Sequence, residues 1–420
     1  MDNIILSNPG KDQDGSYIVP EDERIDTWNS QRLTAGVYDY TFYAIYDTHK
    51  YLMTFLDGDN TVLDVRAVEA GTRKIDASGL IPYLDDSTLP LIQTYRFTGV
   101  WKTQGGQLIE NVSATRNWTF IPEFNLVEDV RTEITDLSIF DFEEITAQNA
   151  LTQTTMSIPP AYWIKDNAGN PLTFTGYRIK LLENAKVKGK VTLPLWYKDK
   201  PVITIDSSFN DMREGSDKRI THIFWGYDER GSKLVTIGRD AFASSAGRPI
   251  SLKYIEIPDS VICIDQGAFN QACSLVGVNQ MNAVVLPSSL LTINRDAFNN
   301  AFDQNDTTGL SQILIPSNVV AMYLNAFGNM RIDVNTVQFG NVTEGSHLVQ
   351  LGNDTIKNVD NPTISGSSAF YSHNQSYSQG TSSLLFYTND TAQYDAFYKY
   401  IGNGNFKHIT SYQRVDVGGN

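Results

Sequence analysis

Three stretches of this chain carry the same punctuation at the same spacing. LKYIEIPDSVICIDQGAF runs from Leu252 to Phe269, AVVLPSSLLTINRDAF from Ala283 to Phe298, and LSQILIPSNVVAMYLNAF from Leu310 to Phe327. In each, a short β-rich run ends in proline (Pro258, Pro287, Pro316). A second apolar run follows, and an Ala-Phe pair closes the unit at Phe269, Phe298 or Phe327. Proline to phenylalanine is 11 residues in every unit, and successive prolines are 29 residues apart. A less regular unit, KLVTIGRDAF, closes at Phe242. Another, VTLPLWYKDKPVITIDSSF, is stretched between Pro194 and Phe209. A pattern that stays in phase over five units marks one supersecondary module per period. An ordinary β-sandwich with similar strands would let the spacing slip.

One such unit cannot bury its own apolar face; stacked units share a continuous core, each touching only its neighbours. The spacing predicts stacked coils from Gly176 to Met330. Ile255, Ile257, Ile262 and Ile264 alternate with Tyr254, Glu256 and Cys263, so one set is expected inside and the other outside. Phe242, Phe269, Phe298 and Phe327 are expected to form an aromatic spine at one corner.

The units resemble the BspA-like leucine-rich repeats of bacterial surface proteins and of some protist and phage proteins. The resemblance covers LKYIEIPDSVICIDQGAF and its neighbours, the opening KGKVTLP, and the closing LLFYTNDTAQYDAFYKYI as a strand plus short helix that caps the array. It implies a binding or scaffolding surface rather than catalysis, in a leucine-rich-repeat domain spanning 176–420. The inserts Asn299 to Gly309 and Asn361 to Ser383 interrupt its regularity.

Ahead of the repeats, residues 34–125 read as a small β domain. Lys50 to Leu56 and Thr61 to Val68 alternate on either side of Asp57-Gly58-Asp59-Asn60, a hairpin signal. YRFTGVWKTQGG and NWTFIPEF follow. This order of motifs resembles the small β-grasp repeat of Listeria internalins and Bacteroides surface proteins, which implies a spacer or interaction module. Residues 1–33 read as an N-terminal arm anchored by Ile4-Ile5-Leu6, Tyr17-Ile18-Val19 and Trp28. Residues 126–175 read as a linker or second small β module, acidic and Thr-rich, with Pro159-Pro160 and a turn at Asp166 to Asn170. The fold class expected is therefore mainly β and modular: a small β-grasp-like or β-sandwich-like domain followed by a leucine-rich-repeat solenoid.

Composition narrows the function. Of 420 residues, 41% are apolar, enough for sizeable cores, and the net charge is −15. That charge argues against nucleic acid, which needs a basic footprint, and against anionic membranes. No stretch approaches 18 apolar residues, so no membrane insertion is expected. MDNIILSNPGKDQDG lacks the basic and apolar regions of a standard secretory signal, and QRVDVGGN carries no sorting or lipidation signal. Cys263 and Cys273 read as buried, inert thiols on either side of a repeat corner, too separated to bridge.

No catalytic, cofactor-binding or metal-binding residues are expected. The histidines His49, His222, His347, His373 and His408 are scattered, and no G-x-S-x-G, Walker A or G-x-G-x-x-G element occurs. Asp12-Gln13-Asp14-Gly15 and Asp57-Gly58-Asp59 lack the downstream Glu of a calcium loop and read as turns. Asn361 to Ser383 has the Ser/Gly/Asn/Tyr/His composition of an adaptable exposed loop. Tyr371, His373, Asn374, Tyr377 and Gln379 are its candidate binding residues. Three function classes fit to different degrees. A bacteriophage virion protein (tail, baseplate, collar or capsid surface) accounts for synthesis in the host cytoplasm, free thiols and the arm-plus-spacer-plus-repeat plan. Its partners would be other virion proteins, copies of itself in an assembly, and a host surface glycan or protein. A bacterial cell-surface adhesin fits the two resemblances but lacks export and anchoring signals. A glycan-active enzyme or peptidase lacks any site.

Overall fold

The computed structural model describes residues 50–152, 173–212, 217–244, 250–302, 310–329, 334–352, 354–355, 369, 382–402 and 409–418. Before residue 50 it describes the short strands Ile4–Leu6, Gly10–Lys11, Tyr17–Ile18, Arg24–Ile25 and Phe42–Ala44. The chain is mainly β and divides into two units. One comprises Met1–Thr88 and Tyr95–Val127; the other comprises Leu89–Thr94 and Glu128–Asn420.

The first unit centres on a four-stranded sheet in the order Val62–Glu69, Lys50–Leu56, Trp118–Val127, Thr94–Thr103. Its two middle strands run parallel, with Met53 opposite Trp118 and Phe55 opposite Phe120. Lys50–Leu56 and Val62–Glu69 form the antiparallel hairpin around Asp57 to Asn60. The turn is held by its own acids: Asp59 Oδ1 accepts from Thr61 N and Oγ1. Gly58 is required there, because a Cβ would stand 2.5 Å from Tyr83 O. Beneath the sheet, Phe55 meets Trp101 edge-on at 5.2 Å and stacks on Phe120 at 5.3 Å. Such geometry suits the ring quadrupoles.

The second unit is a solenoid with two parallel faces. A nine-stranded sheet takes the first strand of each unit, from Val187–Leu193 through Lys218–Trp225, Tyr254–Ile255, Gly277–Gln280, Ala283–Val285, Gln312–Ile315, Thr336–Phe339 and Ser382–Tyr387 to Ile409–Val415. A ten-stranded sheet takes the second strand, including Lys200–Ile205, Thr236–Ile237, Cys263–Ile264, Thr292–Ile293, Ala321–Met322 and Gln350–Leu351. Neighbouring coils pair in parallel register, for example Ile264 with Ile293 and Ile313 with Val337. Between the sheets lies one continuous core. Each coil fills it with residues at the same phase: Ile255, Ile257, Val261, Ile264 and Phe269; then Val284, Leu286, Leu290, Ile293 and Phe298; then Ile313, Ile315, Val319, Met322 and Phe327.

Two residues before each closing phenylalanine the backbone enters the left-handed region, at Asp240 (φ 52°), Gly267 (φ 66°), Asp296 (φ 56°) and Asn325 (φ 53°). Gly, Asp and Asn are the residues that tolerate it. This turn swings the Ala-Phe pair inward, and Phe242, Phe269 and Phe298 N–H each donate to the next coil's alanine carbonyl at 2.7 Å.

The structure corrects three expectations. Of residues 126–175, expected as a linker or second small β module, the described strand Phe140–Thr146 and the helix Ala147–Thr152 pack with the repeats. Phe140–Thr146 pairs antiparallel with Thr175–Leu181 along its whole length and so caps the ten-stranded sheet; Thr175–Leu181 runs parallel to Lys200–Ile205 on its other side. Phe140 is buried and its ring lies 6.3 Å from Phe209, which places it in the repeat core. The turn at Asp166 to Asn170 lies outside the described residues. Second, inside and outside do not simply alternate. Ile262 and Cys263 face away from the main core, into a cluster with Ile203 and Val235 that the helix Ala147–Thr152 covers through Ala147, Ala150 and Leu151. Third, Asn361 to Ser383 is not wholly an exposed loop: Ala369 is fully buried in the main core, and its carbonyl accepts from Phe327 N–H at 2.7 Å. That is the bond each earlier Ala-Phe pair makes.

At the far end, the strand Ser382–Tyr387 leads into the helix Thr391–Gly402. Asp390 begins it, its Oδ1 accepting from Gln393 N at 3.1 Å, an N-cap bond. Phe397 on that helix closes the core against Phe386, with ring centroids 4.2 Å apart. No helix among the described residues is long and apolar enough to cross a membrane.

Candidate interaction surface

The structural repeat residues come together. Phe242, Phe269, Phe298 and Phe327 are fully buried and stack in sequence at 5.1, 4.9 and 4.8 Å. Pro258, Pro287 and Pro316 end the first strand of successive coils, where a missing N–H does no harm to the ladder. Tyr371, His373, Asn374, Tyr377 and Gln379 lie outside the described residues, as does the arm 1–33 apart from its short strands.

The outward side of the nine-stranded sheet has two halves. Over the early coils it is covered. Leu91 and Ile92 pack with Val130 on Phe224 and Tyr254. Lys190, 3% exposed, points outward in the register and donates from Nζ to the carbonyls of Gln93 (2.5 Å) and Pro90 (3.3 Å). Thr192 Oγ1 donates to Val130 O at 2.7 Å. Beside them His222 Nδ1 lies 2.9 Å from Thr221 Oγ1. Burial, reinforced by Lys190 and Lys253, holds the His222 imidazole down to about 3. It is therefore neutral at pH 7.

Over the later coils the same side carries half-buried and exposed residues. Ile313 and Ile315 point into the core, so Leu314 between them points out. Its register partners are Val285 and Gln338, and the row continues through Leu385 and Gln413. A second outward row is hydroxyl-rich and amide-bearing: Gln312, Thr336 and Ser383. Ser411 lies next to Ser383, their hydroxyls 2.8 Å apart.

Between these halves, at the proline edge, a cleft of about 520 Å³ opens among Trp225, Tyr227, Arg131, Glu256, Asn279, Leu286 and the rings of Pro258 and Pro287. Arg131 is tied to Asp129 by two bonds of 3.0 Å. Those bonds hold the Asp129 carboxyl down at about 2. Glu256 behaves oppositely. Burial pushes its carboxyl above the usual range, although Arg131 Nη1 stands 3.7 Å away. Sequence reading missed this cleft because its walls come from three coils and from the segment before the cap.

Among the described residues no group of three or more His, Cys, Asp or Glu could hold a metal ion. Both cysteines are free. Cys263 is fully buried, which pushes its thiol well up. Cys273 is only half-buried, in contrast to the expectation of two buried thiols, and its Sγ lies 3.3 Å from Asn300 O.

Comparison with known families adds one result. The family described as BspA type leucine rich repeat region (6 copies) matches residues 229–344 and 277–402. Over this stretch the chain is similar to BspA-type leucine-rich repeats. The match begins after the first irregular coil and ends with the capping helix, so the matched stretch holds the spine, the outward rows up to Leu385 and most of the cleft wall. Arrays of this kind are interaction surfaces, since stacking leaves one outward position per coil in register along the array. No curated protein and no solved structure matches the chain.

Proposed function

We propose that the chain is a non-enzymatic interaction component of a bacteriophage particle, on its tail, baseplate, collar or capsid surface, with the leucine-rich array turned toward its partner. The observation that carries the interaction reading is the outward row Val285, Leu314, Gln338, Leu385 and Gln413, aligned by parallel register. Aliphatic and neutral amide groups with little charge suit a polar protein surface or a host glycan. The virion reading draws support from the acidic, Asn-, Thr- and Tyr-rich β composition and from the modular plan. We read the first unit as a β-grasp-type spacer, which the parallel middle strands of its sheet favour. In this account the arm 1–33 and the first unit attach the protein, and copies of the chain assemble side by side.

Mass spectrometry of density-gradient-purified particles tests this reading. The chain should appear in a fixed ratio to the major capsid protein. A chain missing from particles, and instead released by protease from the surface of intact uninfected bacteria, would be an adhesin. A version lacking Met1 to Leu33 should fold but fail to join the particle.

A further inference from the structure

The polar inventory of the proline-edge cleft is one-sided. Its indole donates inward, Trp225 Nε1 to Glu256 O at 2.9 Å. Its phenol donates inward, Tyr227 to Asp129 Oδ2 at 2.9 Å. The Asn279 amide donates to Ile257 O and Val285 O at 3.1 and 2.9 Å. Arg131 grips Asp129 and reaches Glu256 only at 3.7 Å. Beside the Arg131 Nη1 edge, what faces the cleft is carboxylate: Glu256, whose side chain is 24% exposed, and Asp259 at the exposed rim. The remaining wall is apolar, from Pro258, Pro287 and Leu286.

We propose that this cleft receives a lysine or arginine side chain of a protein partner, its stem along the two prolines and Leu286 and its charged head on Glu256. A ligand here gains most by bringing donors and positive charge, because most donors of the wall are engaged and its carboxylates outnumber its one guanidinium. An anion would meet Glu256 and Asp259. Both basic side chains have apolar stems that lie along such a wall while the head stays polar. Two carboxylates, Asp129 and Glu256, share a single guanidinium, so a second cation supplies charge that the fold lacks. Burial of Glu256, which disfavours its charged form, points the same way. The net charge of −15 would draw basic partners toward the surface. The inference rests on the interaction reading of the array and not on its place in a particle.

The test is a titration of the ¹⁵N-labelled full chain with acetyl-arginine amide, acetyl-lysine amide and the neutral isostere acetyl-citrulline amide at physiological salt, following the Trp225 indole resonance. The two cations should shift it saturably, and citrulline should bind about tenfold or more weakly. Glu256→Gln should bring arginine to the citrulline level, and Asp259→Asn should weaken it less, each with an unchanged melting temperature. Absence of a saturable shift, equal binding of citrulline, or undiminished arginine binding in Glu256→Gln would overturn the proposal. If Glu256→Gln melts early, the exposed Asp259→Asn decides, and unchanged arginine binding in it overturns the proposal. Because general attraction to an acidic chain survives loss of one charge, the single substitutions separate the cleft from the surface. Failure here would leave the particle test standing.

Discussion

Phe269 and Phe298 stack face to face across adjacent coils, ring centroids 4.9 Å apart and planes 7° from parallel. The contact exists because each ring closes a unit at the same phase, after a left-handed turn that points it inward. Both rings are fully buried. Replacing Phe269 by Ala should therefore cost about 3–5 kcal/mol, the transfer and cavity cost of a core phenylalanine. Urea unfolding checks this. A cost below about 1 kcal/mol would mean that the spine does not hold the coils together.

Asp296 occupies the left-handed turn at φ 56°, and its Oδ1 accepts from Asn325 Nδ2 at 2.9 Å. Asp296→Val puts a β-branched residue where it is strained and removes that bond. We expect a loss of about 1–2 kcal/mol. Asp296→Gly removes the same bond without strain and should cost less. Equal losses for the two variants, read by thermal melting, would assign the cost to the bond alone.

Lys190 serves two carbonyls, those of Pro90 and Gln93. Lys190→Met leaves both without their cation, at a cost of about 1–3 kcal/mol for the charged hydrogen bond lost at the half-buried Gln93 carbonyl. The segment 89–94 should then be cut faster in limited proteolysis. Unchanged cleavage would show that Leu91 and Ile92 suffice to hold it.

His222 gives the array an acid sensitivity with a definite sign. Its folded value, about 3, is below the ordinary histidine value of about 6.5. The unfolded chain therefore takes up the proton first. Stability contributed by the neutral ring is whole above pH 6.5 and is lost as pH falls toward 3. His222→Gln should be less sensitive, narrowing its stability gap from the parent by up to about 2 kcal/mol between pH 6.5 and 5. Parallel pH dependences of the two proteins in urea unfolding would contradict this.

Much of this fold was legible because punctuation and periodicity act locally. The prolines end strands, the phenylalanines fill a corner, and the apolar positions between them recur at fixed offsets, so LKYIEIPDSVICIDQGAF carries its own coil. What was hidden depends on distant partners. SIFDFEE contains no repeat punctuation, and only its antiparallel pairing with Thr175–Leu181 makes Phe140 part of the core. Ala369 stands in a polar Ser/Gly/Tyr stretch that reads as loop. The Ala-Phe pair at 369 and 370 was the one available signal, and a long insert had broken its phase. The cleft was less legible still. Neither Arg131 nor Glu256 is unusual in sequence; their meeting at 3.7 Å depends on a cap segment crossing the coils. Ile262 and Cys263 show the limit of alternation, because the helix Ala147–Thr152 makes a second inside on the outer side.

The central claim is that the array's outward row is where a partner binds. Hydroxyl-radical footprinting of the free chain and of the chain on purified particles, incubated with and without host cell envelopes, measures it most directly. Leu314 and Leu385 should react in the free chain and lose reactivity in the bound state, while fully buried Ile313 and Leu384 (1% exposed) stay unreactive in both. A bound chain in which Leu314 and Leu385 react as fast as in the free chain would contradict the account.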